Sequence, residues 1–211
     1  MYFGLLWGLP LLINSISSVK NYVTPVKKPT LEVSKNSSLA PPVLNIPYEA
    51  TNTAEINIRG YGTPNSKVAI YLEDEKKDTT EVSSDGVFEI KGISLSFGTN
   101  NIYGSSVDEN DLESLPSKTL KIIYDNEKPK LNISEPEDDK KIQGGDKKIK
   151  ISGTTEVGTH VYINNNQIVV NSDSNFNQEF SLNDGDNIFD IKAIDEASNT
   201  TEVSRKVVFQ P

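Results

Sequence analysis

The chain has 211 residues, of which 35% are apolar and 24% charged, with a net charge of −9. That is long enough for one large domain or two small ones, and the modest apolar share suits small β-sandwiches whose strands bury one face. The acidic balance excludes nucleic acid as a partner, because phosphate binding needs a basic surface. There is no cysteine, which excludes disulfide frameworks and thiolate-held zinc, and the single histidine, His160, leaves no basis for a multi-histidine metal site. No cofactor is expected.

Residues 1–19 carry no charge, and their strongly apolar stretch ends at Ile13. As a helix at about 1.5 Å per residue they would reach roughly 28 Å, enough to cross a bilayer core. The segment reads as a single-pass transmembrane anchor with the remainder outside the cell; a secretory signal cleaved near Ser15 or Ser17 is the alternative. The basic residues Lys20, Lys27 and Lys28 follow the segment and none precedes it, so the positive-inside rule taken alone points the other way. Basic residues missing from a start further upstream would reconcile the two. Residues 20–42 are rich in Pro, Ser, Lys and Asn and have no period that could bury a face, which predicts an extended stalk.

The rest of the chain repeats itself at about 87 residues. Leu44, Asn45 and Ile46 recur as Leu131, Asn132 and Ile133. Ile56, Ile58 and Gly60 recur as Ile149, Ile151 and Gly153. Val68 and Ile70 match Val161 and Ile163, and Asp85 and Phe88 match Asp173 and Phe176. Leu95, Gly98, Asn100, Ile102 and Asp108 match Leu182, Gly185, Asn187, Phe189 and Asp195, and Ile122 and Tyr124 match Val207 and Phe209. Alternation of period two is clearest from Asn187 to Ala193, where Phe189, Ile191 and Ala193 share one face. Turn signals punctuate the runs at Thr63-Pro64-Asn65, Ser84-Asp85-Gly86, Asn164-Asn165-Asn166 and Asp184-Gly185-Asp186.

The expected fold class is therefore all-β: two tandem immunoglobulin-like sandwiches of about seven strands each, over residues 43–126 and 127–211, with a short hinge at 125–129. Opening Pro-x-Leu-x-Ile, then Ile-x-Ile-x-Gly, Val-x-Ile, Asp-x-x-Phe and Leu-x-x-Gly-x-Asn, this pattern resembles the bacterial immunoglobulin-like domains of the glucodextranase B-domain type, across residues 42–210. The resemblance implies a non-catalytic part of an exported or surface protein. Repeat one departs from the pattern at Gly92, where a bulge is expected, and at Gly104 and Ser106, which replace Ile191 and Ala193 and thin the core.

Several polar groups invite a chemical reading. Asp173 to Glu179 has the look of a calcium loop but lacks glycine at its sixth position, so a turn running into a strand is expected. Asp108 and Asp195 open polar turns before the last strand of each repeat, where Asx side chains bond nearby backbone; weak cation binding is the other reading. The carboxylate pairs Glu73 with Glu75 and Asp138 with Asp139 lie in turn segments with no cleft to separate their pKa values, so acid–base catalysis is not expected.

Comparison of the repeats points to a contact surface. Tyr71 and Tyr103 alternate out of phase with the core and stand where repeat two has Asn164 and Asp190; Phe97 stands at Asp184 and Tyr61 at Thr154. The third and sixth strands of such a sandwich are neighbours, so Tyr71 and Tyr103 should meet. The sequence thus reads as a non-enzymatic, membrane-anchored or secreted module that acts as spacer, adhesin or protein-interaction scaffold. The alternative is a carbohydrate-binding accessory of an extracellular glycan-processing system. The expected partners are the membrane, through residues 1–19, and a cell-surface protein or glycan touching Tyr61, Tyr71, Phe97 and Tyr103. The sequence does not specify an oligomeric state.

Overall fold

A computed structural model describes residues 39–211. The expected anchor helix at 1–19 and all but the last four residues of the stalk lie outside the described residues.

The first sandwich contains β1 (Val43–Asn45), β2 (Ala50–Thr51), β3 (Glu55–Tyr61), β4 (Lys67–Leu72), β5 (Glu75–Glu81), β6 (Val87–Ser94), β7 (Gly98–Val107) and β8 (Leu120–Tyr124). The second contains β9 (Asn132–Glu135), β10 (Lys140–Gln143), β11 (Lys148–Thr154), β12 (His160–Ile163), β13 (Asn166–Ile168), β14 (Asn175–Ser181), β15 (Gly185–Ile194) and β16 (Thr200–Gln210). Each has a three-stranded sheet, ordered β1-β3-β6 or β14-β11-β9. Each also has a five-stranded sheet, ordered β2-β8-β7-β4-β5 or β10-β16-β15-β12-β13. Eight strands replace the expected seven because the first strand of each repeat divides. Its first half pairs antiparallel in the small sheet and its second half pairs parallel with the last strand. Pro47 and Pro136 stand at the two crossings, where a residue without an N–H cannot continue a ladder.

The repeated motifs have packing causes. Strand β3 alternates strictly, with Ile56, Ile58 and Gly60 buried and Glu55, Asn57, Arg59 and Tyr61 exposed. A Cβ on Gly60 would lie 2.3 Å from the carbonyl oxygen of Val43 and 2.4 Å from Cζ of Phe88. On Gly153 it would lie 2.3 Å from the oxygen of Asn132 and 2.6 Å from Cζ of Phe176. The glycine of Ile-x-Ile-x-Gly is therefore the floor on which the Asp-x-x-Phe ring lies. Asn100 and Asn187, both buried, form the same network in each repeat. Asn187 Oδ1 accepts from the Asn183 N–H at 2.7 Å, and its Nδ2 donates to the Asn183 and Gly185 oxygens at 2.9 and 3.1 Å. Asn100 does likewise with Ser96 and Gly98. The buried amide thus closes each turn from the inside, with both its oxygen and its nitrogen satisfied.

The first block of the sequence alignment needs correction. Leu44 pairs with Gly60, but Ile133, not Leu131, pairs with Gly153. The shift is two residues, so the same face stays inward and the hydrophobic pattern conceals it. The bulge expected at Gly92 is present: Ile56 pairs with Ile93 and Ile58 with Ile90, and Gly92 adopts φ +72°. The thinner core at Gly104 and Ser106 is filled by β1 and the residues just before it. Pro42 and Leu44 pack over Gly104, and the Ser106 hydroxyl donates to the Ala40 oxygen at 2.7 Å. Residues 40–42, read from sequence as the end of the stalk, are therefore built onto the first sandwich, because small residues on β7 leave room for them.

The hinge expected at 125–129 carries no strand, but its backbone is fastened. The Asn199 amide donates to the Asp125 oxygen at 2.8 Å and the Thr201 hydroxyl to the Pro129 oxygen at 2.6 Å.

Candidate functional site

The four aromatic residues singled out in the sequence fall in three places. Tyr71 on β4 and Tyr103 on β7 are direct cross-strand partners on the outer face of the five-stranded sheet, with ring centroids 5.0 Å apart and planes 5° apart. Tyr61 lies on β3, in the opposite sheet. Phe97, in the turn between β6 and β7, stands edge-on to Tyr124 at 6.1 Å.

The tyrosine pair exists because the β4–β5 hairpin of repeat one is longer. It turns at Glu73 and Asp74, both left-handed, whereas β12 turns at Asn164 and Asn165. In repeat two Asn164 Oδ1 accepts from the Asp190 N–H, at the position of the tyrosine pair. In repeat one that closing role passes outward to Glu73, whose Oε1 accepts from the Asn101 N–H at 2.6 Å.

A second local difference supplies the pair's polar partner. Strand β16 pairs with β15 along its whole length, but β8 pairs only with residues 98–102 of β7. Pro116 interrupts the returning strand. Two serines continue the ladder with backbone and hydroxyl together: Ser114 and Ser117 donate their N–H groups to the Ser106 and Gly104 oxygens at 2.8 Å, while Ser114 Oγ accepts from the Ser106 N–H at 2.9 Å and Ser117 Oγ from the Gly104 N–H at 3.0 Å. The loop carries the buried Glu113 to the tyrosines, where the Tyr71 hydroxyl donates to Glu113 Oε1 at 2.6 Å. Lys76 Nζ lies 3.7 Å from the same oxygen. Burial, and then the bond to Glu113, hold the Tyr71 phenol well above its ordinary range. Burial and the Asp74 carboxylate raise Tyr103. Each ring thus has one face against the other, and the Tyr71 hydroxyl is committed to a protein partner. Glu113 and Asp74 were missed in the sequence because each looks like one more acidic turn residue.

Tyr61 has a different setting. It pairs directly with Val43 on one side and Val87 on the other, and all three are exposed, at 59%, 63% and 40%. The next outward row is Asn45, Arg59 and Glu89, with Arg59 Nε 3.0 Å from Glu89 Oε1. That ion pair, strongest through its hydrogen bond, holds the Glu89 carboxyl below its usual range. A shallow groove of about 410 Å³ begins at this second row and runs along Asn57 to Tyr48 and Pro47. In repeat two the row at the place of Val43, Tyr61 and Val87 is polar: Asn132, Thr154 and Asn175. Val87 could have been noticed in the sequence, since the Asp-x-x-Phe block aligns it with Asn175; Val43 could not, because of the two-residue shift.

The remaining candidates serve as turn and edge chemistry. Asn171 Oδ1 accepts from the Asp173 and Asn175 N–H groups, so the calcium-like sequence is a turn leading into β14. Asp108 Oδ1 accepts from Asn110 and Leu112, and Asp195 Oδ1 from Asn199. Glu75 pairs with Lys77 at 2.5 Å. Asp138 Oδ1 accepts from the Lys206 N–H, which lowers its carboxyl pKa. His160 is exposed at the start of β12. Among the described residues no group of three or more His, Cys, Asp or Glu is placed to hold a metal ion.

Comparison with known proteins agrees with this architecture. The family model of glucodextranase domain B matches residues 129–210, so the second sandwich is similar to immunoglobulin-like domains of that type. Bacillopeptidase F of Bacillus subtilis (strain 168) is 26% identical over 151 residues, which is 72% of this chain and 10% of that protein. The chain therefore spans about a tenth of that relative's length. The fibronectin(III)-like modules of Clostridium thermocellum CbhA superpose with a TM-score of 0.57 at 18% identity, covering 80% of this chain and 94% of theirs, a likeness of fold.

Proposed function

We propose that this chain is a non-catalytic module of the cell exterior, in which two immunoglobulin-like sandwiches form a spacer and the first also provides a contact surface. The observation that carries the reading is the contrast between the repeats. Their cores share the same glycine–phenylalanine and asparagine devices, while their outer faces have diverged. Repeat one presents Val43, Tyr61 and Val87 where repeat two presents Asn132, Thr154 and Asn175. A fold requirement would act on both copies alike. A row of exposed apolar side chains in one copy alone fits a partner.

The carboxylates that could have done acid–base work support the same reading, since Glu73, Asp138, Asp195 and Glu113 accept hydrogen bonds that shape turns and loops. In this proposal residues 1–19 anchor the chain in the membrane or direct its secretion, and residues 20–38 lead to the first sandwich.

Cell fractionation, protease treatment of intact cells and N-terminal sequencing of the mature chain test it. The sandwiches should lie in the envelope or medium and be digested from outside. A pool that stays in the cytoplasm, protected in intact cells, would refute the proposal.

A further inference from the structure

We infer that the outer face of the β1-β3-β6 sheet binds a neutral glycan, with Tyr61 as the stacking platform and Asn45, Arg59 and Glu89 as the hydrogen-bonding rail. Cross-strand pairing fixes its side chains in two parallel rows. Strands stand about 4.8 Å apart, so the row Val43, Tyr61, Val87 spans on the order of 10 Å; Arg59 lies about 7 Å along β3 from Tyr61. A pyranose ring laid on the Tyr61 ring and the flanking valines would bring its hydroxyls to the polar row. An aromatic face takes the apolar C–H side of a sugar, and planar amide, guanidinium and carboxylate groups bond its hydroxyls in the plane.

Three observations select this ligand class. Arg59 Nε lies 3.0 Å from one Glu89 oxygen and Lys91 Nζ 3.6 Å from the other, and Glu55 lines the same groove, so the face offers donors and acceptors whose two positive and two negative charges balance. With a net charge of −9, the chain would repel an acidic polymer. The apolar strip is three partly covered side chains, well short of the ~800 Å² per partner of a stable protein interface. The Tyr71–Tyr103 pair fits a sugar less well, because each ring has one face against the other and the Tyr71 hydroxyl is held by Glu113.

The test is native electrophoresis of the full chain in gels containing soluble starch, dextran, mixed-linkage β-glucan or xylan, followed by titration with oligosaccharides of the retarding polymer. The variants are Y61T and R59S, which install the residues repeat two carries, and Y103D, which alters the opposite sheet. Unchanged thermal midpoints show that the variants fold. Retardation by at least one polymer is expected, weakened at least tenfold by Y61T, severalfold by R59S and not at all by Y103D. No retardation by any of the four, full retention in Y61T, or loss in Y103D alone overturns the assignment. So does a Tyr61-dependent dimer in sedimentation without glycan. Because localisation is read separately, a chain found outside the cell that binds no glycan refutes this inference and leaves the spacer reading standing.

Discussion

Replacing Gly153 by alanine should damage the second sandwich out of proportion to one methyl group. The new Cβ would lie 2.3 Å from the Asn132 oxygen and 2.6 Å from Phe176 Cζ. The first contact is backbone, held by the pairing of β9 with β11, and the second is a ring that is only 2% exposed in the core. Neither can retreat without breaking a ladder or opening a void. Overpacking of this kind costs roughly 1–3 kcal/mol. The substitution also stiffens the unfolded chain, which returns about 0.4–1 kcal/mol. The net loss should be about 1–2 kcal/mol. For a domain of this size that lowers the midpoint by about 4–15 °C. Calorimetry of the full chain, with the two sandwiches fitted as separate transitions, measures it directly. G153A should lower one transition and G60A the other. A midpoint unchanged or raised in G153A would refute the account of the motif, since it would mean that the ring and the carbonyl move freely.

Gly104→Ala is a useful contrast. Its Cβ would meet only side-chain atoms, with Pro42 Cγ at 3.0 Å the nearest, so the loss should be smaller, about 0.5–1.5 kcal/mol, and proteolysis near residue 40 should quicken. Asn187→Ala should cost about 1–3 kcal/mol in urea unfolding, because it removes a buried amide that bonds the Asn183 N–H and two carbonyl oxygens of the turn. Tyrosine ionisation gives a pH signature. In an absorbance titration Tyr71 and Tyr103 should ionise above the ordinary tyrosine range. A phenol whose folded pKa is raised keeps its proton longer when folded. Its stabilisation is complete below the unfolded value of about 10 and is lost as pH rises beyond it. Stability of the first sandwich should therefore fall above about pH 10, and Y71F should flatten that fall.

Much of the fold was legible because its signals are local. The two-residue alternation of Phe189, Ile191 and Ala193 states which face is buried, and the block-by-block repeat states that it happens twice. The meeting of Tyr71 and Tyr103 was also legible, since it follows from alternation together with the neighbourhood of the third and sixth strands. The two-residue shift at Leu131 was not, because a pattern of period two is blind to a slip of two. Nor was the filling of the space over Gly104 by Pro42, a contact across 62 positions of sequence that proline-rich composition disguised as stalk.

For the contact surface the division is sharper. Sequence comparison alone established that repeat one carries aromatic residues where repeat two carries polar ones, because that is a statement about residue identity at aligned positions. Tertiary structure alone decided which of them stand free. The Tyr71 and Tyr103 rings lie against each other, and Tyr71 bonds to a glutamate 42 residues away, because the chain folds a proline-broken loop over that sheet. Tyr61 stays exposed between Val43 and Val87, because strand register sets three distant residues in one row on the opposite sheet.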